Sequence, residues 1–177
     1  PVLGDSLARI LAARGHEVFR HYYVDDVGRQ AAVIAYGYQK LGASQPKGKP
    51  DHFIGTVYAI TSCIIEIKRL KKAIEAAKDV ISDETLRWQQ ELDKWIAVAA
   101  EREAAHPELF AQLLNAISQD ENPDAKIAEL NVQYEKGGRE AKKLIRGVSE
   151  LCLEGFKESF RRIGIGLDSW DWESDFV

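Results

Sequence analysis

From Asp51 to about Gly164 the apolar residues recur only at helical spacing, and no convincing strand pattern interrupts them. Ile60, Ile64, Ile67, Leu70 and Ile74 mark one face of a long helix. Ser82 or Asp83 offers N-cap chemistry for a second, whose stripe runs through Leu92, Trp95, Ile96 and Ala99. Pro107 suits the first turn of a third, carrying Phe110, Leu113, Leu114 and Ile117. Asn122-Pro123-Asp124 opens a short fourth through Ile127 and Leu130, and Gly137-Gly138 breaks it. A last long helix aligns Leu144, Val148, Leu151, Cys152, Phe156 and Phe160, and Gly164 ends it. Stripes of this kind are buried by packing helix on helix.

The two ends have a different character. Leu3, Leu7, Ile10 and Leu11 fall at helical spacing, with Asp5 and Ser6 as cap chemistry and Gly15 as the stop. Glu17 to Val24 is rich in aromatic and β-branched residues and predicts a strand. The turn Asp25-Asp26-Val27-Gly28 leads into a helix from Arg29 to Leu41. Gly42 to Pro50, with its Gly, Ser, Pro and Lys, is a boundary. Ile165 to Val177 reads as a loop or short strand re-entering the first unit. The expected fold is α/β, a first unit (residues 1–45, rejoined at 164–177) interrupted by a large all-helical insertion (46–163). The lack of any Met and the abrupt end at Asp175-Phe176-Val177 lead us to expect a piece of a longer protein.

Composition narrows the function classes. With 45% hydrophobic and 29% charged residues the chain is too apolar for disorder. No apolar run reaches the roughly 18 residues of a membrane span. A net charge of -4 leaves nucleic-acid binding to local patches. His16, His21, His52 and His106 have no metal-ligand spacing, so no metal site is expected. Cys63 and Cys152 lie in apolar helical patterns and read as buried, reduced thiols. The Gly137-Gly138 pair precedes a helix and is either an anion-holding N-terminus or a plain interhelical break.

Two groups of cations sit at helical spacing: Lys68, Arg69, Lys71 and Lys72, and Arg139, Lys142, Lys143 and Arg146. Each is either a phosphate-contacting face or solvated surface balanced by Glu66, Glu75 and Glu140. The segment Val24 to Gln30 stands where α/β sheets bind ligands, just beyond a strand's carboxyl end. Asp25 or Asp26 there would accept from a guanidinium or a ribose hydroxyl, and Gln30 would read a polar ligand. The competing reading is a helix-capping turn.

The run from Pro1 to Gln30 closely resembles arginyl-tRNA synthetases. The residues that carry the likeness are Gly4, Asp5, Leu7 and Arg9 of a Gly-Asp-x-Leu-x-Arg helix, and Asp26, Gly28 and Gln30 of an Asp-x-Gly-x-Gln turn. Asp51-His52-Phe53-Ile54-Gly55 is similar to the family's entry into its connecting insert, and Asp168 to Ser174 to its return. The middle has an archaeal cast. Asp25, where many relatives carry Asn, is given no family role. The resemblance implies a Rossmann-type core and a cytoplasmic parent that joins arginine to tRNA with ATP (as substrate, with Mg) through an arginyl-adenylate, with no tightly bound cofactor. It implies substrate-binding roles for Asp26, Gly28, Gln30, Gly4 and Asp5. Lys68, Lys71, Lys72, Arg139, Lys142, Lys143 and Arg146 are the candidates for tRNA contact. The family's H-x-G-H and K-M-S-K motifs do not occur in these residues, so no catalytic residue is assigned and the chain alone is expected to be inactive. The alternative is a free-standing, synthetase-derived helical module that binds RNA or protein.

Overall fold

The computed structural model describes residues 1–77 and 82–176. In chain order the elements are α1 (Val2–Ala13), β1 (His21–Val24), α2 (Arg29–Lys40), α3 (Pro50–Ala76), α4 (Asp83–Ala105), α5 (Pro107–Ser118), α6 (Pro123–Glu135), α7 (Arg139–Arg162) and β2 (Ser169–Trp172), closed by a 3-10 turn at Glu173–Asp175. The described residues are therefore mostly helical, with one two-stranded parallel sheet. An all-helical insertion between two strands agrees with expectation.

The helix starts follow local chemistry. Ser82 accepts from the Thr85 amide while Thr85 returns a bond to the Ser82 amide, a capping box that opens α4. Asn122 caps α6 through the Ala125 amide, and Pro107 and Pro123 occupy the first turns of α5 and α6. One cap differs. Asp5 and Ser6 lie inside α1, which begins at Val2; Asp5 pairs with Arg9 (2.6 Å) and the Ser6 hydroxyl bonds back to the Val2 carbonyl.

The core is built around α2. Ala31, Ala32, Val33, Ala35, Tyr36, Gly37 and Tyr38 are all buried, so this helix is covered on nearly every side. One flank, through Ala32, Val33 and Tyr36, meets Val57, Ile60 and Ile64 of α3 and Leu113 and Ile117 of α5. The other, through Ala31, Ala35 and Tyr38, meets Ile54, Tyr134, Ile145 and Val148. Each fully buried Ile or Leu here contributes roughly 1.5–3 kcal/mol. Small residues let the helices approach: a Cβ on Gly37 would stand 2.2 Å from Thr61 Oγ1. The helix expected to belong to the first unit is thus the centre of the bundle.

Periodicity and burial part company at several stripe positions. Ile96 and Leu114 are exposed, on the outward sides of α4 and α5. More of α1 is uncovered: Leu3 is 84% exposed, Leu7 56% and Ile10 59%, and Ala8 alone on that helix is buried. The face is amphipathic, as its spacing requires, but no described residue covers it.

β1 and β2 pair in parallel, with His21 opposite Ser169 and Val24 opposite Trp172. The strand is shorter than the expected Glu17–Val24 because its partner among the described residues begins at Ser169. Just ahead of the ladder, the Arg20 carbonyl accepts from the Asp168 (2.8 Å) and Ser169 (3.1 Å) amides. The Arg20 amide donates to the Asp168 carboxylate at 2.8 Å. Tyr22 and Trp170 pack with Phe156 and Phe160, so α7 covers one face of the sheet.

Candidate functional site

Beyond Val24 the chain alternates. Asp25 points to solvent, Asp26 is fully buried, Val27 is half-buried, and Gly28 adopts φ 99° and ψ 177° before α2 begins. That backbone conformation is open to glycine and strained for other residues. No side chain caps α2, so Asp26 is not the capping residue that the competing reading supposed. Its carboxylate accepts the Tyr134 hydroxyl, the Ser174 amide (3.0 Å) and the Ser174 hydroxyl (2.7 Å). Arg146 Nε lies 3.8 Å away. Both oxygens of Asp26 are engaged within the chain.

On the other side of this turn lies a cavity of about 490 Å3, between the end of β1, the start of α2 and α7. Tyr22, Asp25, Val27, Gln30, Cys152 and Phe156 are among its walls. Gln30 is exposed on the first turn of α2. The parallel register sets Asp25 and Glu173 immediately past the paired strand ends. Burial, reinforced by the Asp25 carboxyl, raises the Glu173 pKa above its usual range. Burial pushes the Cys152 thiol up to about 11, with the Asp51 charge adding to it, so the thiol facing this cavity is protonated at neutral pH. Cys63 is buried and its pKa is likewise raised by desolvation.

Gly4 and Asp5 do not join this group. They line a separate cavity of about 390 Å3 between α1, β1 and the approach to β2. Asp5 is held there by Arg9 and by Arg20 (3.3 Å), and the Arg9 hydrogen bond leads in lowering its pKa. Gly4 is exposed, with open space where a Cβ would stand.

The two cationic groups also divide. Lys71 and Lys72 are exposed on α3, but Lys68 is half-buried and donates to the Asp120 carbonyl, and Arg69 pairs with Glu66 at 2.7 Å. Arg139, Lys142 and Lys143 are exposed along an open depression on α7. Arg146, at its end, turns inward. Its guanidinium donates to the Ser174 hydroxyl (2.7 Å), pairs with Asp175 and lies 4.8 Å over the Trp172 ring.

Sequence reasoning missed Tyr134, Glu173 and Ser174. Tyr134 read only as part of a short helix, and no local pattern links it to Asp26, 108 residues away. The other two depend on the strand register, which no local pattern records.

Over 99% of its length the chain is 38% identical to the arginine–tRNA ligase of Sulfolobus acidocaldarius, 40% to that of Aeropyrum pernix and 41% to that of Pyrobaculum islandicum. Its likeness to arginine–tRNA ligases runs through the whole sequence. It spans about a quarter of the length of these relatives, 28%, 26% and 28% respectively. The resemblance expected from the first thirty residues therefore extends through the helical middle, and these relatives are archaeal, in keeping with its expected cast. No family model and no solved structure matches the chain. Among the described residues no helix is long and apolar enough to cross a membrane.

Proposed function

We propose that this chain supplies one wall of the substrate cleft, and the helical connecting region, of a cytoplasmic arginine–tRNA ligase that activates arginine with Mg–ATP and passes it to tRNA. The observation that carries the proposal is the turn from Asp26 to Gln30. It sits at the carboxyl end of a parallel strand, opens onto a cavity, and belongs to a sequence similar throughout to these ligases. In open α/β sheets, ligands sit at that end of the strands.

Within this reading, residues 1–45 and 164–177 are parts of a Rossmann-type core and 46–163 are the insertion. Gly28 lets the backbone approach the substrate, and Gln30 offers an amide to it. Asp26 acts from beneath, as the anchor of the turn. Asp5 holds α1 against the approach to β1 through Arg20, and Gly4 leaves open space beside it for a substrate. The exposed apolar face of α1 supports further core packing there, and so favours a larger fold over a free-standing module. Arg139, Lys142 and Lys143 are the stronger candidates for tRNA phosphates, with Lys71 and Lys72 next; Lys68 and Arg146 are committed to internal partners.

Activation depends on placing arginine against the α-phosphate and stabilising the charge that develops there. The H-x-G-H and K-M-S-K elements that would do so are absent from this sequence. The chain alone is therefore expected to show no arginine-dependent ATP–pyrophosphate exchange, even with tRNA added. Exchange above background would overturn the assignment of chemistry to other parts of the ligase. A tRNA acceptor minihelix should bind the α7 face with affinity that falls as salt rises, and Ala at Arg139, Lys142 and Lys143 should weaken it.

A further inference from the structure

We infer that Tyr134 and Arg146, two side chains of the helical insertion, are positioning residues that hold the Asp26–Gln30 turn in register with the substrate cleft. The inference rests on the functional reading above and names what sets the geometry of its central turn.

The turn has few anchors of its own. No side chain caps α2, and Gly28 contributes no side-chain contact. Arg29, at its far end, reaches out to Glu66 (3.4 Å) and Asp124 (3.0 Å), and what fixes the segment from below is one buried carboxylate. Asp26 is 0% exposed and is held by a hydroxyl from α6, the amide and hydroxyl of Ser174, and the nearby guanidinium of Arg146 from α7. Arg146 reaches further. It covers the ring of Trp172, whose register partner is Val24, and binds Ser174 and Asp175 just beyond. A single guanidinium thus lies against the end of β2 and beside the Asp26 carboxylate, two residues past the end of β1.

A polar network is a costly way to join these elements. Burying a charge costs several kcal/mol before its partners are counted, and an apolar contact of similar volume is often as stable. What hydrogen bonds add is direction. Tyr134 directly, and Arg146 through its bond to the Ser174 hydroxyl, define where the Asp26 carboxylate lies, and through the short Val27–Gly28 link they define where Gln30 meets the cavity. A misplacement of about 1 Å in a substrate-aligning group costs on the order of a hundredfold in rate.

The test uses the whole ligase that contains this sequence, carrying Tyr134→Phe, Arg146→Lys or, separately, Gln30→Ala. Tyr134→Phe keeps the ring and removes the hydroxyl. Arg146→Lys keeps the charge and removes the planar fork. The readouts are kcat and KM for arginine and for ATP in the activation step, beside the thermal unfolding midpoint. We expect both positioning variants to lower kcat/KM for arginine by about tenfold or more, with KM for ATP within about twofold. The midpoint should stay above the assay temperature. If Gln30→Ala impairs arginine use while Tyr134→Phe and Arg146→Lys do not, the positioning role is overturned and the cleft reading stands. If the positioning variants weaken arginine and ATP equally and in step with a falling midpoint, the two residues are merely structural and the inference fails. If none of the three alters arginine kinetics, the cleft reading itself falls.

Discussion

Ser174 gives both its backbone amide, at 3.0 Å, and its hydroxyl, at 2.7 Å, to the carboxylate of Asp26, 148 residues earlier in the chain. The pair closes the parallel sheet just past its last register partners, Val24 and Trp172. Hydrogen bonds to a charged, buried acceptor contribute about 1.5–3 kcal/mol each. Ser174→Ala removes the hydroxyl bond and leaves the amide bond. It should lower unfolding stability by roughly that range, read from the shift of a urea midpoint at constant m value.

A second polar hub ties α2 to the segment between α5 and α6. Asp120, nearly buried, accepts from the Tyr36 hydroxyl (2.6 Å), Lys126 (2.6 Å) and Lys40 (2.7 Å). Burial works to raise the Asp120 pKa, but these three donors outweigh it and hold the carboxyl well below the usual range. A carboxylate with a depressed folded pKa contributes stability above its unfolded value, roughly pH 4, and loses that contribution as pH falls through the folded value. Asp5, Asp168 and Asp171 are depressed as well and share this acid limb. Asp120→Asn should therefore flatten the fall in stability below about pH 4 without abolishing it. Urea melts at stepped pH would show the change in slope.

The crossing of α2 and α3 leaves no room for a methyl group at Gly37. Its Cβ would lie 2.2 Å from Thr61 Oγ1 and 3.1 Å from Thr61 Cβ. Gly37→Ala should cost about 1–3 kcal/mol by overpacking, although Ala is the better helix former. Pairing it with Thr61→Ala removes the closest atom and should recover part of the loss. A double-mutant cycle in thermal or urea unfolding would measure the coupling, and additive losses would place the cost elsewhere.

Much of the helical architecture was legible because capping and periodicity are local. Ser82, Pro107 and Asn122 mark helix starts by chemistry confined to one turn, and the structure uses all three. The spacing of Leu3, Leu7 and Ile10 identifies a shared face but carries no information on whether anything covers it; the same holds for Ile96 and Leu114. The shorter β1 and the parallel register have a different origin. They arise from a pairing across the entire helical body, where the geometry of packing, not the strand's own residues, decides which positions meet. At the candidate site, Val27 and Gln30 line the cavity and Gly28 does not, whereas the Asp26 side chain turns inward. Nothing in a run of two aspartates says which one meets Tyr134 and which one meets water.

The two thiols make a simple check on packing. Cys63 is buried, and Cys152 faces the cavity beside α2 with its pKa pushed up to about 11. Both should react slowly with an aromatic disulfide reagent at pH 8 in the native protein and rapidly in denaturant. Of the two, Cys152 should react first, and a ligand filling the cavity should slow it further.

The most direct test of the central claim is a crystal structure of the whole ligase with a non-hydrolysable arginyl-adenylate analogue. The account predicts the analogue against the Gly28–Gln30 turn, with the Gln30 amide or the turn's backbone within about 3.2 Å of its polar atoms. An analogue bound in a cleft that this turn does not line would contradict it.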